Sequence, residues 1–301
     1  MTSSPKRSHG DHAQALWCLH EREASLTDTA PARIERGLAE TPYGYVHYRA
    51  AGSGAPVVLL HINQQSSALY LELLRELAPG FRAIAIDYPG CGMSDHVAGE
   101  LAIADYARAL AAVLDVLGIA RARIIGEAVG TYVATEFAVQ FPERTAAAVM
   151  LNFPFTPLEH QDDRGGHVAP GVRPEDSTGF PLPRSIDFLL ERDAGHAPMH
   201  PTQDWMDRIN VAQFETGRDR WQIYNALLAY DFRSRMREVT RPVKILMGEH
   251  FYFGKYNAQL AHMIPGSRLE VVPGARFCMG WEFAAEVARR SAAFFGEVAP
   301  A

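Results

Sequence analysis

Cysteine is scarce in this chain: Cys18, Cys91 and Cys278 are the three among 301 residues. They are odd in number, far apart and without metal-ligand spacing. That excludes a disulfide framework and a cysteine-based metal site, and it points to a reduced compartment, read here as the cytoplasm. Long apolar runs are missing too. No stretch of roughly 18 apolar residues occurs, so no membrane span is expected. Ala13 to Leu19 is interrupted by Gln14 and followed by His20-Glu21-Arg22-Glu23, which is no secretory signal. Nor is positive charge in excess: 29 Lys and Arg stand against 35 Asp and Glu, for a formal charge of −6. Nothing electrostatic therefore calls for nucleic acid or an anionic membrane as partner. Internal repeats are absent as well.

What is present is core-forming material. With 48% hydrophobic residues, the chain can fill one large α/β domain, or a core with an inserted subdomain. Residues 1–31 are polar, with one apolar patch at Leu16 and Trp17, and read as an N-terminal arm, either disordered or a short docking helix. Ala32–Leu38 and Tyr43–Arg49 read as a hairpin closed by Gly52-Ser53-Gly54. From there, short apolar strands alternate with helical periods. Strands are expected at 56–60, 81–86, 122–125, 146–152, 243–247 and 269–272, with helices at 67–77, 105–117, 131–141 and 283–295. Between Phe153 and Asp231 the alternation stops, and helical stretches near 185–191 and 201–230 suggest a lid. The expected organisation is a core of 32–153 and 232–301 with a lid insertion at 154–231, built as a mostly parallel, doubly wound sheet.

Four landmarks carry a resemblance. Leu59-Leu60-His61 ends an apolar strand. Asp87-Tyr88-Pro89-Gly90-Cys91-Gly92-Met93-Ser94-Asp95 forms a glycine-rich turn. Gly126-Glu127-Ala128-Val129-Gly130 has the small-x-nucleophile-x-small spacing of a strand-to-helix elbow. Pro242 to Gly248 and then Pro273-Gly274-Ala275 close the series. In this order, from about Arg33 to Phe295, the chain resembles the α/β-hydrolase superfamily. The resemblance implies an α/β-hydrolase fold with an oxyanion loop after His61, a nucleophile at 128, an acid at 251 and a histidine at 277.

Those three positions hold Ala128, Phe251 and Phe277. A methyl group cannot attack a carbonyl, and neither phenyl ring can move a proton, so ordinary serine hydrolysis is not expected. The backbone is indifferent to such replacements. The amide of Val129 and that of Ile62 or Asn63 are the expected oxyanion pair. Asn63, Gln64 and Gln65 offer polar contacts or, with Ser66 and Ser67, helix capping. His61, Glu127 and His250 are the candidate acid–base groups. For His61 a bracing role stands beside the catalytic one, for Glu127 a link to neighbouring loops, and for His250 a turn cap. Asn152 can only orient, and Cys278 reads as a buried thiol lining the pocket. Trp205 and Trp221 are pocket candidates, although aromatics so placed, Phe214 and Tyr224 among them, more often pack a lid onto its core. His160, His167, His196 and His200 share no helical face, so no metal is expected, and no cofactor is called for.

Three functions remain open. The first is a non-hydrolytic enzyme acting on a small hydrophobic or aromatic, polyketide-like substrate by cyclisation, dehydration, decarboxylation or carbon–carbon cleavage. The second is a ligand-binding or partner protein descended from a hydrolase. The third is a hydrolase with a relocated base. The expected partner is a small molecule, with a homodimer also allowed.

Overall fold

The computed structural model describes residues 32–155, 201–219 and 222–298. The expected arm at 1–31 and most of the lid insertion, with its four histidines and the helical stretch at 185–191, lie outside the described residues, as does Trp221. Eight strands form one sheet: β1 (Glu35–Thr41), β2 (Gly44–Ala51), β3 (Ala55–Leu60), β4 (Phe81–Ile86), β5 (Ala122–Glu127), β6 (Thr145–Leu151), β7 (Val243–Gly248) and β8 (Arg268–Val272), in the order β1-β2-β4-β3-β5-β6-β7-β8. β1 and β2 pair antiparallel as the expected hairpin, and β2 meets β4 antiparallel; every other pairing is parallel. The central strands read as apolar runs because helices cover both faces, and β5 and β6 are buried at every position.

One face carries α2 (Ile103–Val116) and α3 (Val129–Gln140), and the other carries α1 (Leu71–Leu77) and the closing α9 (Ala284–Glu297). α2 presents an apolar stripe with Leu110, Val113 and Leu114 buried. α3 is buried on all sides from Val129 to Ala138, its small and apolar residues broken by Thr131, Thr135 and Glu136, which are buried as well. One charge inside it, Glu136, is neutralised by Arg235 Nε and Nη2 at 2.8 and 2.9 Å and accepts from the Tyr230 hydroxyl at 2.7 Å. Arg235 belongs to α6 (Phe232–Glu238), which the polar sequence Arg-Ser-Arg-Met-Arg conceals from periodicity. Upstream, the expected helical stretch at 201–230 is divided. It consists of α4 (Gln203–Thr216), a short 3₁₀ turn from Gly217, and α5 (Gln222–Leu228).

The sheet order places the chemistry. From β3 the chain first steps outward through α1 to β4, then returns across β3 through α2 to β5. Neighbouring loops after β3 and β5 therefore leave in opposite directions and open a crevice at the carboxyl ends of those strands. No described helix is long and apolar enough to cross a membrane.

Candidate active site at the carboxyl edge of the sheet

β5 turns into α3 within one residue. Ala128 makes the turn at φ 48°, ψ −112°, a backbone conformation that L-residues rarely adopt. Gly126 and Gly130 permit it by close approach. A Cβ on Gly126 would collide with the Gly130 carbonyl, and one on Gly130 with the Leu60 carbonyl of β3. The Ala128 amide donates to Leu151 O at 3.1 Å, tying the tip to β6. Val129 opens α3, so its N–H has no acceptor within the helix and lies at the positive end of the helix dipole.

Positive φ recurs along this edge. Among the described non-glycine residues it is found at Gln64 (60°), Ala128 (48°), Asn152 (48°) and Cys278 (60°). All four lie in the segments that follow β3, β5, β6 and β8. Each such residue costs on the order of 1–3 kcal/mol and persists only where its surroundings fix it.

The floor of the site is apolar. Phe251 and Phe277 stack with ring centroids 5.8 Å apart and planes inclined by 14°. Ala128 is 5% exposed, within the apolar cluster that also holds Ile62, Trp205 and Cys278, and Phe277 packs against that cluster. Thus the positions that the sequence resemblance assigns to an acid and a histidine meet as two rings.

Behind the floor lies a polar frame. Glu127 is fully buried and accepts from the amides of Met279 at 2.7 Å and Gly280 at 3.3 Å, and from Asn152 Nδ2 at 3.4 Å. Burial pushes its carboxyl up to about 7, although these donors pull the other way. Asn152 joins three segments: Nδ2 also donates to Arg276 O at 2.8 Å, and Oδ1 accepts from the Gly248 amide at 2.9 Å. The segment bearing Phe277 is held further by Arg276, paired with Glu282 at 2.9 and 3.0 Å. Cys278 is fully buried and precedes the short α8 (Met279–Glu282).

His61 is equally committed. Its Nδ1–H donates to Ile62 O at 2.6 Å, and Nε2 accepts from the Tyr88 amide at 3.2 Å. A carbonyl can only accept and an amide N–H can only donate, so the imidazole is the neutral Nδ1–H tautomer. Burial drives its pKa down to about 4. Next to it, the buried Asp87 accepts from His47 Nδ1 and the Met93 amide, both at 2.9 Å, and from the Ser67 amide at 2.5 Å. Burial alone would raise the Asp87 pKa, but its hydrogen bonds, His47 first, bring it below the usual value. Asp95 supports the same turn through the Tyr45 amide at 2.8 Å.

The remaining predicted residues are spread around this frame. Gln65 is buried, Asn63 and Gln64 are half-buried, and Ser66 caps the 3₁₀ turn at Ser67–Tyr70 by accepting from the Ala68 amide at 3.3 Å. His250 follows β7, 25% exposed, with Nε2 3.9 Å from Glu249; its amide donates to Ala275 O at 2.9 Å. Trp205 is fully buried and stacks on Trp281 at 4.2 Å. Phe214, read from the sequence as lid-to-core packing, is instead 54% exposed, since it falls on the outer face of α4. Among the described residues no cluster of His, Cys, Asp and Glu could hold a metal ion. Sequence reasoning missed the amides of Met279 and Gly280 as partners of Glu127, because a contact across some 150 residues leaves no local signal.

Comparison with known proteins follows the same lines. A family model described as alpha/beta hydrolase fold matches residues 55–282. An uncharacterized Mycobacterium tuberculosis protein is 33% identical over 138 residues, covering 44% of this chain and 40% of that protein. The chain thus spans only about two fifths of that relative's length. A 2-hydroxy-6-oxononadienedioate/2-hydroxy-6-oxononatrienedioate hydrolase of Pseudomonas putida is 26% identical over 276 residues, covering 84% of this chain and 91% of the enzyme. Among solved structures, a hydrolase from Pseudomonas aeruginosa superposes with a TM-score of 0.70 at 19% identity, covering 87% of this chain and 98% of that one.

Proposed function

The chain belongs to the α/β-hydrolase fold family, and from that premise we propose that its site works without a Ser-His-Asp triad. It binds a small, flat, hydrophobic or aromatic carbonyl compound and transforms it without an acyl-enzyme. The observation that carries this reading is the Phe251–Phe277 stack on the same carboxyl edge of the sheet as a strained Ala128. The elbow has kept a costly backbone whose remaining chemical yield is the outward amide of Val129. That amide, with one from the loop after β3, polarises the substrate carbonyl, and the apolar floor orients the ring system. Cyclisation, dehydration, decarboxylation and carbon–carbon cleavage all proceed through a carbonyl polarised in this way. The Pseudomonas putida relative is named for a conjugated oxo-acid, which supports a conjugated ketone as the first substrate class to test.

Of the three candidate acid–base groups, His61 and Glu127 are positioning residues in this reading, since their polar atoms are engaged with backbone. His250, partly open to solvent after β7, is the proposed base. The relatives' names favour a second reading, in which His250 activates a water for hydrolysis.

The test is a turnover assay of conjugated ketones and nitrophenyl esters with the wild-type, His250→Gln and Ala128→Ser proteins. Wild type is expected to consume a ketone and leave the esters intact. His250→Gln should lower kcat by roughly 10²–10⁴ with little change in KM. Ester hydrolysis by wild type that disappears in His250→Gln would favour the second reading. Ligand binding with no turnover of any kind would make the protein a binder and sink both.

A further inference from the structure

At the opposite, amino-terminal edge of the sheet, an open cleft of about 550 Å³ lies between the starts of β3 and β5. Arg82, Arg121 and Arg123 line it, with Gly54 and Gly118 among the other lining residues. In a chain of net charge −6, the lining of this cleft carries three arginines and no carboxylate, and Arg121 is the charged neighbour of Arg123. Arg123 is the unusual member. It stands near the start of β5, only 6% exposed, its guanidinium carbon 5.9 Å from the Phe81 ring centroid and 5.7 Å from that of Phe295. Its Nε and Nη1 are buried without a hydrogen-bond partner, as is Nε of Arg121. Burial, and then repulsion from Arg121, lower the Arg123 pKa.

A guanidinium removed from water is costly unless an anion and hydrogen-bond acceptors replace the water. The two rings compensate the charge in part, but they accept none of its N–H groups. Packed against both rings of this edge-to-face pair, the planar fork is already restrained, so less side-chain entropy remains to be lost when an anion arrives. The donors and the surplus charge match a group with two negative charges and three acceptor oxygens.

We propose that this cleft binds a phosphoryl dianion, as free phosphate or as the phosphate of a small monoester, at Arg121 and Arg123, with Arg82 elsewhere in its lining. The site lies at the other edge of the sheet from the elbow and stands independently of the activity proposed there.

The experiment follows thermal unfolding of the full chain against inorganic phosphate, glycerol 3-phosphate and citrate, with sodium chloride at matched ionic strength as the baseline. Phosphate or the monoester should raise Tm with the logarithm of its concentration above Kd, by roughly 5 °C at about a hundred times Kd. A stronger response to the monoester assigns the site to a phosphorylated small molecule, and an equal response assigns it to free phosphate. Arg123→Met keeps an apolar side chain against the two rings and removes the fork, so the rise should vanish. Arg121→Gln, at a half-exposed position, should weaken apparent affinity at least tenfold, and it serves if Arg123→Met does not fold. Three results would overturn the proposal: no shift beyond the sodium chloride baseline, a shift with citrate alone, or a shift that survives both substitutions.

Discussion

The frame and the floor of the elbow site differ in kind. The frame comprises His61, Glu127 and Asn152, polar, buried and bonded to backbone of distant segments. The floor comprises Ala128, Phe251 and Phe277, apolar side chains in contact with one another or with the core. A protein that had simply lost its purpose would be under no constraint to pair the frame so completely. Folding alone, however, supplies one constraint, since a buried carboxylate or amide left unpaired is destabilising whatever the floor does. The contrast teaches that the geometry of this edge is held by polar groups bonded to backbone, apart from the apolar side chains of the floor.

The largest effect should come from breaking the frame. Asn152→Leu leaves the Gly248 amide, the Arg276 carbonyl and Glu127 short of partners and puts a bulky residue at positive φ. A loss of about 4 kcal/mol in urea unfolding is expected. A loss below 1 kcal/mol would mean that these bonds are replaced by water and that the frame is not what holds the edge.

Titration sharpens the contrast next. Glu127 holds its proton more tightly when folded, so its stabilising contribution is complete below about pH 4.5 and is lost as pH rises through about 7. His61 runs the other way: its contribution is complete above about pH 6.5 and is lost as pH falls through about 4. Each amounts to about 3 kcal/mol, and between pH 4.5 and 6.5 the two slopes oppose each other. Glu127→Gln should therefore expose a stability that rises with pH across that window, where wild type is much flatter. Chemical denaturation at a series of pH values checks this; identical profiles for the two proteins would rule it out.

The smallest effect is expected on the floor. Ala128→Gly relieves the positive φ at the cost of backbone entropy in the unfolded chain, for a net gain of roughly 1 kcal/mol in stability. Turnover of a ketone substrate should be unchanged, because the methyl group takes no part. A loss of turnover would show that the floor needs that methyl for shape.

Much of this frame could be read from the chain, and some of it could not. β4 falls where its apolar run places it, and the elbow is announced by Gly126 and Gly130, whose lack of side chains the packing requires. Ala128, Phe251 and Phe277 could be set in register with the resemblance because the glycines near them, Gly126, Gly130, Gly248 and Gly274, mark the turns. Two things were hidden. α6 carries too many arginines to show an apolar stripe, and it is held by pairing with Glu136 rather than by periodicity. The left-handed backbone of Cys278 and the amides offered to Glu127 arise from tertiary packing, for which no local sequence signal exists.

The central claim is that the floor carries no acylating nucleophile even though its frame is intact. Intact-protein mass spectrometry after treatment with a fluorophosphonate tests it directly. Wild type should gain no adduct, whereas the same treatment should add one to an Ala128→Ser/Phe251→Asp/Phe277→His variant, located at position 128 by peptide mapping. A stoichiometric adduct on folded wild-type protein, abolished by prior unfolding, would contradict it.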